Sequence, residues 1–125
     1  MNATELNKRI EDLHLPKFQY VILFGGSMVM NRLREETQDL DLCVSEPVAK
    51  QLGLSGKKPN KDGFYKLSDD VNVKVGMEKI KSEQIGAHLC QKLIDILVFK
   101  AARGLPEDEE DIDLITRYYD GAGHS

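Results

Sequence analysis

Between Tyr20 and Val44 the chain reads YVILFGGSMVMNRLREETQDLDLCV, and no other stretch restricts the possible folds so much. The continuous apolar run Tyr20 to Phe24, with β-branched Val21 and Ile22, reads as a fully buried central strand. Gly25 and Gly26 break it, and Ser27 is placed to cap a helix over residues 28–36 with Met28, Val29 and Leu33 inward. A second strand follows from Asp39 to Val44. Within it Asp39 and Asp41 alternate with Leu40 and Leu42, so both carboxylates share one face, about 7 Å apart, and both leucines the other. Paired carboxylates downstream of a glycine turn suit a divalent cation and a nucleotide phosphate.

The remaining segments supply layers around those two strands. Leu6, Ile10 and Leu13 fall at helical spacing, so a first helix is expected over residues 3–13, with Thr4 and Asn7 as an imperfect capping box and Pro16 beyond its end. Pro47 opens a short helix whose apolar side is Val48, Leu52 and Leu54. The run GKKPNKDG is the least ordered segment. Its Lys57, Lys58 and Lys61 read as a solvated loop, with a phosphate-facing lid as the sharper alternative. Phe64 to Leu67 and Val71 to Val75 form strands around a hairpin turn at Ser68-Asp69-Asp70. In VNVKV the valines point one way, Asn72 and Lys74 the other. Met77 to Gln84 is ambiguous, a connecting turn with some helix. Leu89 to Arg103 carries the strongest helical pattern and is stopped by Gly104, with Pro106 beyond. Glu107 to Tyr119 is a last helix whose acidic first turn suits the helix dipole. The expected architecture is an α/β (α+β) two-layer sandwich, a small mixed sheet with helices packed on it. It is a single domain over residues 1–120 with a disordered tail, 121–125.

Composition limits the function classes. At 125 residues there is room for one core and not two, and a formal net charge of −4 argues against general nucleic-acid binding. Cys43 and Cys90 sit in apolar patterns without a CxxC or Cys/His array, which reads as buried thiols in a reducing compartment. No run approaches 18 apolar residues, and the N-terminal segment has Lys8 and Arg9 but no apolar h-region, so a cytoplasmic protein without membrane contact is expected. His14 and His88 lack a metal-ligand partner at helical spacing, and His124 lies in the tail; all three read as surface residues.

With Arg34 and Thr37 added, the run GGS…RxxTxDLDL resembles the signature of the nucleotidyltransferase superfamily, which includes DNA polymerase beta and the small antibiotic- and antitoxin-type nucleotidyltransferases. LIDILVFKAARGLPEDEEDIDLI is similar to that family's helical tail, and together the two likenesses span nearly the whole chain. The resemblance implies a minimal enzyme that transfers a nucleoside monophosphate from an NTP to a hydroxyl acceptor. It makes Asp39 and Asp41 the catalytic, metal-holding pair, with Mg²⁺ or Mn²⁺ as the cofactor. Gly25, Gly26, Ser27, Arg34 and Lys100 become nucleotide-binding residues. It also implies that a homodimer or a helical partner protein completes the cleft; the identity of the acceptor is not implied.

Three departures from the family pattern open a second reading. Active members carry a third carboxylate on a neighbouring strand, and here the matching cleft-facing positions are Asn72 and Lys74. A lysine there would pair with the two aspartates and fill the space of a second metal. Asp69 and Asp70 fall in the turn. Leu105 and Glu107 stand where the tail is usually basic. The alternative is therefore a catalytically impaired nucleotidyltransferase-like module that binds or regulates.

Overall fold

The apolar run at Tyr20 becomes β1 (Tyr20–Ile22), a central strand with every residue buried, in the computed structural model, which describes residues 1–122. It follows α1 (Ala3–Leu13) and leads directly into α2 (Phe24–Met30), β2 (Leu40–Val44) and α3 (Glu46–Gln51). A hairpin of β3 (Tyr65–Ser68) and β4 (Val71–Val75) comes next, then a second of β5 (Ser82–Ile85) and β6 (His88–Gln91). Helices α4 (Leu93–Arg103) and α5 (Glu109–Ala122) close the order. The six strands form one mixed sheet in the order β3-β4-β2-β1-β6-β5. β1 runs antiparallel to β2 and parallel to β6, and β2 runs parallel to β4. The α/β class expected from the sequence is therefore the observed one, with five α-helices among the described residues.

The period-2 alternation of the strands explains where the core sits. Leu40, Leu42 and Val44 join Tyr20, Ile22, Val71 and Val73 in the main core, which Leu6 and Ile10 of α1 and Val48 of α3 also enter. The opposite parity carries a small second layer, Val21, Leu23 and Cys43, against Met77 and Ile80. Asp41 lies on that parity, as the alternation with Leu40 and Leu42 predicts. A third cluster joins Met28 of α2 to Leu93 and Ile96 of α4 and Ile115 of α5, so α2 connects the sheet to the C-terminal helix pair.

Local chemistry sets most element ends, at times one residue from the expectation. The capping box of α1 is made by Asn2 and Glu5, not Thr4 and Asn7: Asn2 Oδ1 accepts from the Glu5 amide at 2.9 Å and Glu5 Oε1 from the Asn2 amide at 3.3 Å. Ser45 caps α3 with Pro47 in the first turn, and Gly104 ends α4 in the left-handed conformation at φ 63°.

Three expectations are corrected. Gly25, Gly26 and Ser27 do not form a turn before a helix at 28–36; all three lie within α2, which ends at Met30. The apolar segment from Leu89 is not the start of α4. His88–Gln91 is a strand, because β1 needs a parallel partner on its free edge and Leu89 and Cys90 pair with Val21 and Ile22. Gly86, at φ 59°, supplies the positive φ that the two-residue loop between β5 and β6 requires. The last helix starts at Glu109 after a 3-10 turn (Pro106–Asp108) and includes Gly121 and Ala122, two residues assigned to a disordered tail. The rest of that tail, 123–125 with His124, lies outside the described residues. No helix among the described residues is long and apolar enough to cross a membrane.

Candidate functional site

The sheet topology brings the two halves of the chain together over one cavity of about 660 Å³, within the range of small-molecule sites. Asp39, at the approach to β2, and Asp41, within it, line one part. Lys100 and Arg103 of α4 and Asp111 of α5 line another, and Arg34 and Gly25 also face the space. Residues some 60 positions apart in sequence thus share a cleft, which joins the N-terminal and C-terminal segments singled out above.

Asp41 is the most constrained carboxylate of the pair. Strands β2 and β4 run parallel with Asp41 opposite Asn72 and Cys43 opposite Lys74. Asn72 Nδ2 donates to Asp41 Oδ1 at 3.0 Å. Burial pushes the Asp41 carboxyl above its ordinary range; the Asn72 hydrogen bond opposes this, Asp39 adds to it, and Lys100 opposes it. The expected ion pair of Lys74 with Asp39 or Asp41 is not formed. Lys74 lies two residues further along β4, about 7 Å beyond Asn72, and its ammonium stands 5.1 Å from the centre of the Phe64 ring. The neighbour of the aspartates is Asn72.

The cationic side is a network. Lys100 is buried and bonds Asp108 at 3.1 Å and Asp111 at 3.2 Å. Arg103 forks onto Asp108 at 2.5 and 2.7 Å, and Arg34 reaches Asp111 at 3.1 Å. Arg103 foremost, through its hydrogen bonds, holds the Asp108 carboxyl down at about 2. The charge of Lys100 is buried because two carboxylates compensate it.

The glycine–serine segment serves the fold more than an open turn would. A Cβ on Gly26 would lie 2.7 Å from Ile22 Cγ2, so glycine lets α2 settle onto β1. Gly25 lines the cleft, and a side chain there would collide with Thr37. Ser27 is fully buried and its hydroxyl donates to the Gln91 carbonyl at 2.6 Å. The Phe24 amide donates to Gln91 Oε1 at 3.0 Å. His88, expected at the surface, is also buried: Tyr20 bonds its Nδ1 at 2.6 Å and Asn7 Oδ1 accepts from its Nε2.

Several cleft residues escaped the sequence reading. Phe24, Phe64 and Phe99 supply the apolar part of its wall, with the Phe24 and Phe99 ring centres 5.1 Å apart. Phe99 belongs to the apolar helical pattern of residues 89–103, yet it is 45% exposed. The spacing Phe99…Arg103, one helical turn, was the available signal, and the guanidinium does lie 5.2 Å from the ring centre. The acidic run Glu107–Asp111 was assigned to the helix dipole; Asp108 and Asp111 are in fact the counterions of α4 and Arg34.

Asp39 and Asp41 suit Mg²⁺, which binds through one or two carboxylates and fills its octahedron with water and phosphate oxygens. A desolvated carboxylate whose pKa is raised gains by meeting a cation. Among the described residues no group of three carboxylate, histidine or cysteine side chains is placed to hold a metal. Five carboxylates and four cations line the cavity, so a bound divalent ion would make it attractive to a polyphosphate. No protein-family model matches the chain, and no curated protein or solved structure matches it.

Proposed function

We propose that this chain is a nucleotidyltransferase-like domain whose cleft binds a nucleoside triphosphate together with Mg²⁺, and that it acts mainly as a binding or regulatory module. The observation that carries this reading is Asn72 bonded to Asp41. The strand position beside the aspartate pair holds a carboxamide, in a cleft that otherwise keeps paired aspartates and four cations.

Asp39 and Asp41 would hold the ion, which when bound would neutralise phosphate charge and activate an oxygen nucleophile. The chain's own groups then divide the remaining work. Lys100, Arg34 and Arg103 offer N–H donors to phosphate oxygens, at the cost of loosening their bonds to Asp108 and Asp111. Asn72 orients Asp41 by donating to Oδ1. A carboxamide does not take up a proton near neutral pH, so Asn72 cannot act as general base toward an acceptor hydroxyl.

The second reading is transfer of a nucleoside monophosphate to a hydroxyl of an acceptor whose identity the cleft does not specify. It is favoured by the aspartate pair itself, since a purely structural strand has little use for two carboxylates facing a cavity. The two readings separate when purified protein is incubated with Mg²⁺, α-labelled NTPs and a broad acceptor set. Label retained as unchanged NTP on the protein is the expected outcome. Label transferred to an acceptor or to the protein would establish the second reading. Neither retention nor transfer would remove both.

A further inference from the structure

The polar chemistry of the cleft leaves one group of residues unused. Phe99 exposes nearly half of its surface although α4 has a buried face available in Leu93 and Ile96. Its ring lies in the cavity wall with Phe24, tilted at 45°, and Arg103 covers part of it. An aromatic pair kept open to a cavity and edged by a guanidinium is a surface on which a flat, π-rich group stacks. Lys100, the next residue, also lines the cavity with its ammonium held by Asp108 and Asp111, so one turn of α4 brings a stacking surface close to a buried cation.

We infer that Phe99, supported by Phe24 and Arg103, is the platform for the nucleobase and gives the cleft a preference for purine over pyrimidine nucleotides. The inference rests on the proposed nucleotide reading and adds the class of base to it. A bicyclic purine presents a larger face to the Phe99 ring than a pyrimidine does, while Phe24, tilted at 45°, supports that ring from its side. Stacking on one aromatic side chain is worth about tenfold or more in affinity.

The chain contains no tryptophan, which makes a direct test available. Phe99→Trp places a single indole at the platform, and an exposed aromatic on a helix surface tolerates that exchange. Titration with ATP, GTP, CTP, UTP and inorganic tripolyphosphate in the presence of Mg²⁺ should quench this fluorescence strongly with the purine nucleotides and weakly with CTP and UTP. Tripolyphosphate should bind, by calorimetry, without stacking quench. Phe99→Ala should weaken ATP roughly tenfold and leave tripolyphosphate affinity unchanged. Equal affinity for all four nucleotides, with no loss in Phe99→Ala, would overturn the platform while leaving the phosphate site standing. Failure of every compound, tripolyphosphate included, would overturn the platform and the nucleotide reading together.

Discussion

Asn72 and Asp41 face each other across the parallel β2–β4 ladder, joined by a 3.0 Å hydrogen bond from carboxamide to carboxylate. This contact offsets part of the cost of burying the Asp41 carboxylate. A neutral donor steadies a desolvated carboxylate where a third acid would have repelled it.

Converting that neighbour to an acid tests the role of the position. Asn72→Asp loses the hydrogen bond and sets two carboxylates opposite each other, so without metal the fold should weaken by roughly 1–2 kcal/mol. Mn²⁺ should restore the loss, because binding to the native state alone adds stability by mass action. Thermal melts with and without Mn²⁺ check this; a variant that melts like the parent and ignores Mn²⁺ would show that position 72 does not belong to the site.

The charge network predicts an acid-side loss of stability. Asp108 has its carboxyl held at about 2, below the ordinary 3.8. A depressed acid contributes stability that is complete above the unfolded value and lost as pH falls from about 4 toward 2, at most about 2.5 kcal/mol here. Asp108→Asn should remove this slope. It should also cost roughly 3 kcal/mol at pH 7, since Lys100 would be left with Asp111 alone. Urea midpoints at pH 2.5, 4 and 7 provide the measurement, and an unchanged acid slope in the variant would contradict the assignment.

His88 should add a second slope at higher pH. Burial lowers its pKa, partly offset by Glu11, and Tyr20 and Asn7 occupy both ring nitrogens. A lowered histidine favours the fold fully above the unfolded value near 6.5 and progressively less as pH falls through its folded value. Protonation would put a second proton on Nδ1, where Tyr20 now donates. His88→Gln should start less stable at pH 7 and decline less between pH 7 and 5. A parallel decline in both proteins would show that His88 keeps its ordinary ionisation.

The two thiols should be inert in the native state. Burial raises Cys43 to about 11 and Cys90 to about 12, and both side chains are almost fully covered. A thiol-specific chromogenic reagent at pH 8 should find neither before denaturation and both after it. Rapid labelling of the folded protein would contradict the packing of β2 and β6.

How much of this was legible in the sequence depended on whether a residue's role was local. The alternation around Asp41 placed its carboxylate opposite the core because a strand has a fixed period of two. Gly104 stopped α4 because a left-handed cap favours glycine. β6 was missed because the strand state of Leu89 and Cys90 is imposed by β1, more than 60 residues earlier. Gly26 looked like a turn residue, but its small size serves the approach of α2 to Ile22. Phe99 and Asp111 belong to the cleft through the packing of α4, α5 and the sheet, which periodicity along one helix cannot express. Asn72 and Lys74 were both expected on the face toward the aspartates; the register sets Asn72 opposite Asp41, while Lys74, opposite Cys43, lines the same cavity with its ammonium over Phe64.

The central claim, a Mg²⁺-dependent nucleotide site at Asp39 and Asp41, meets its most direct test in calorimetric titration with a non-hydrolysable NTP. The titration is run in Mg²⁺ and again in EDTA, on the parent chain and on Asp41→Asn. Saturable binding in Mg²⁺, lost at least tenfold (about 1.4 kcal/mol) in EDTA and in Asp41→Asn, is the predicted result. Equal binding in all four conditions, or none in any, would contradict it.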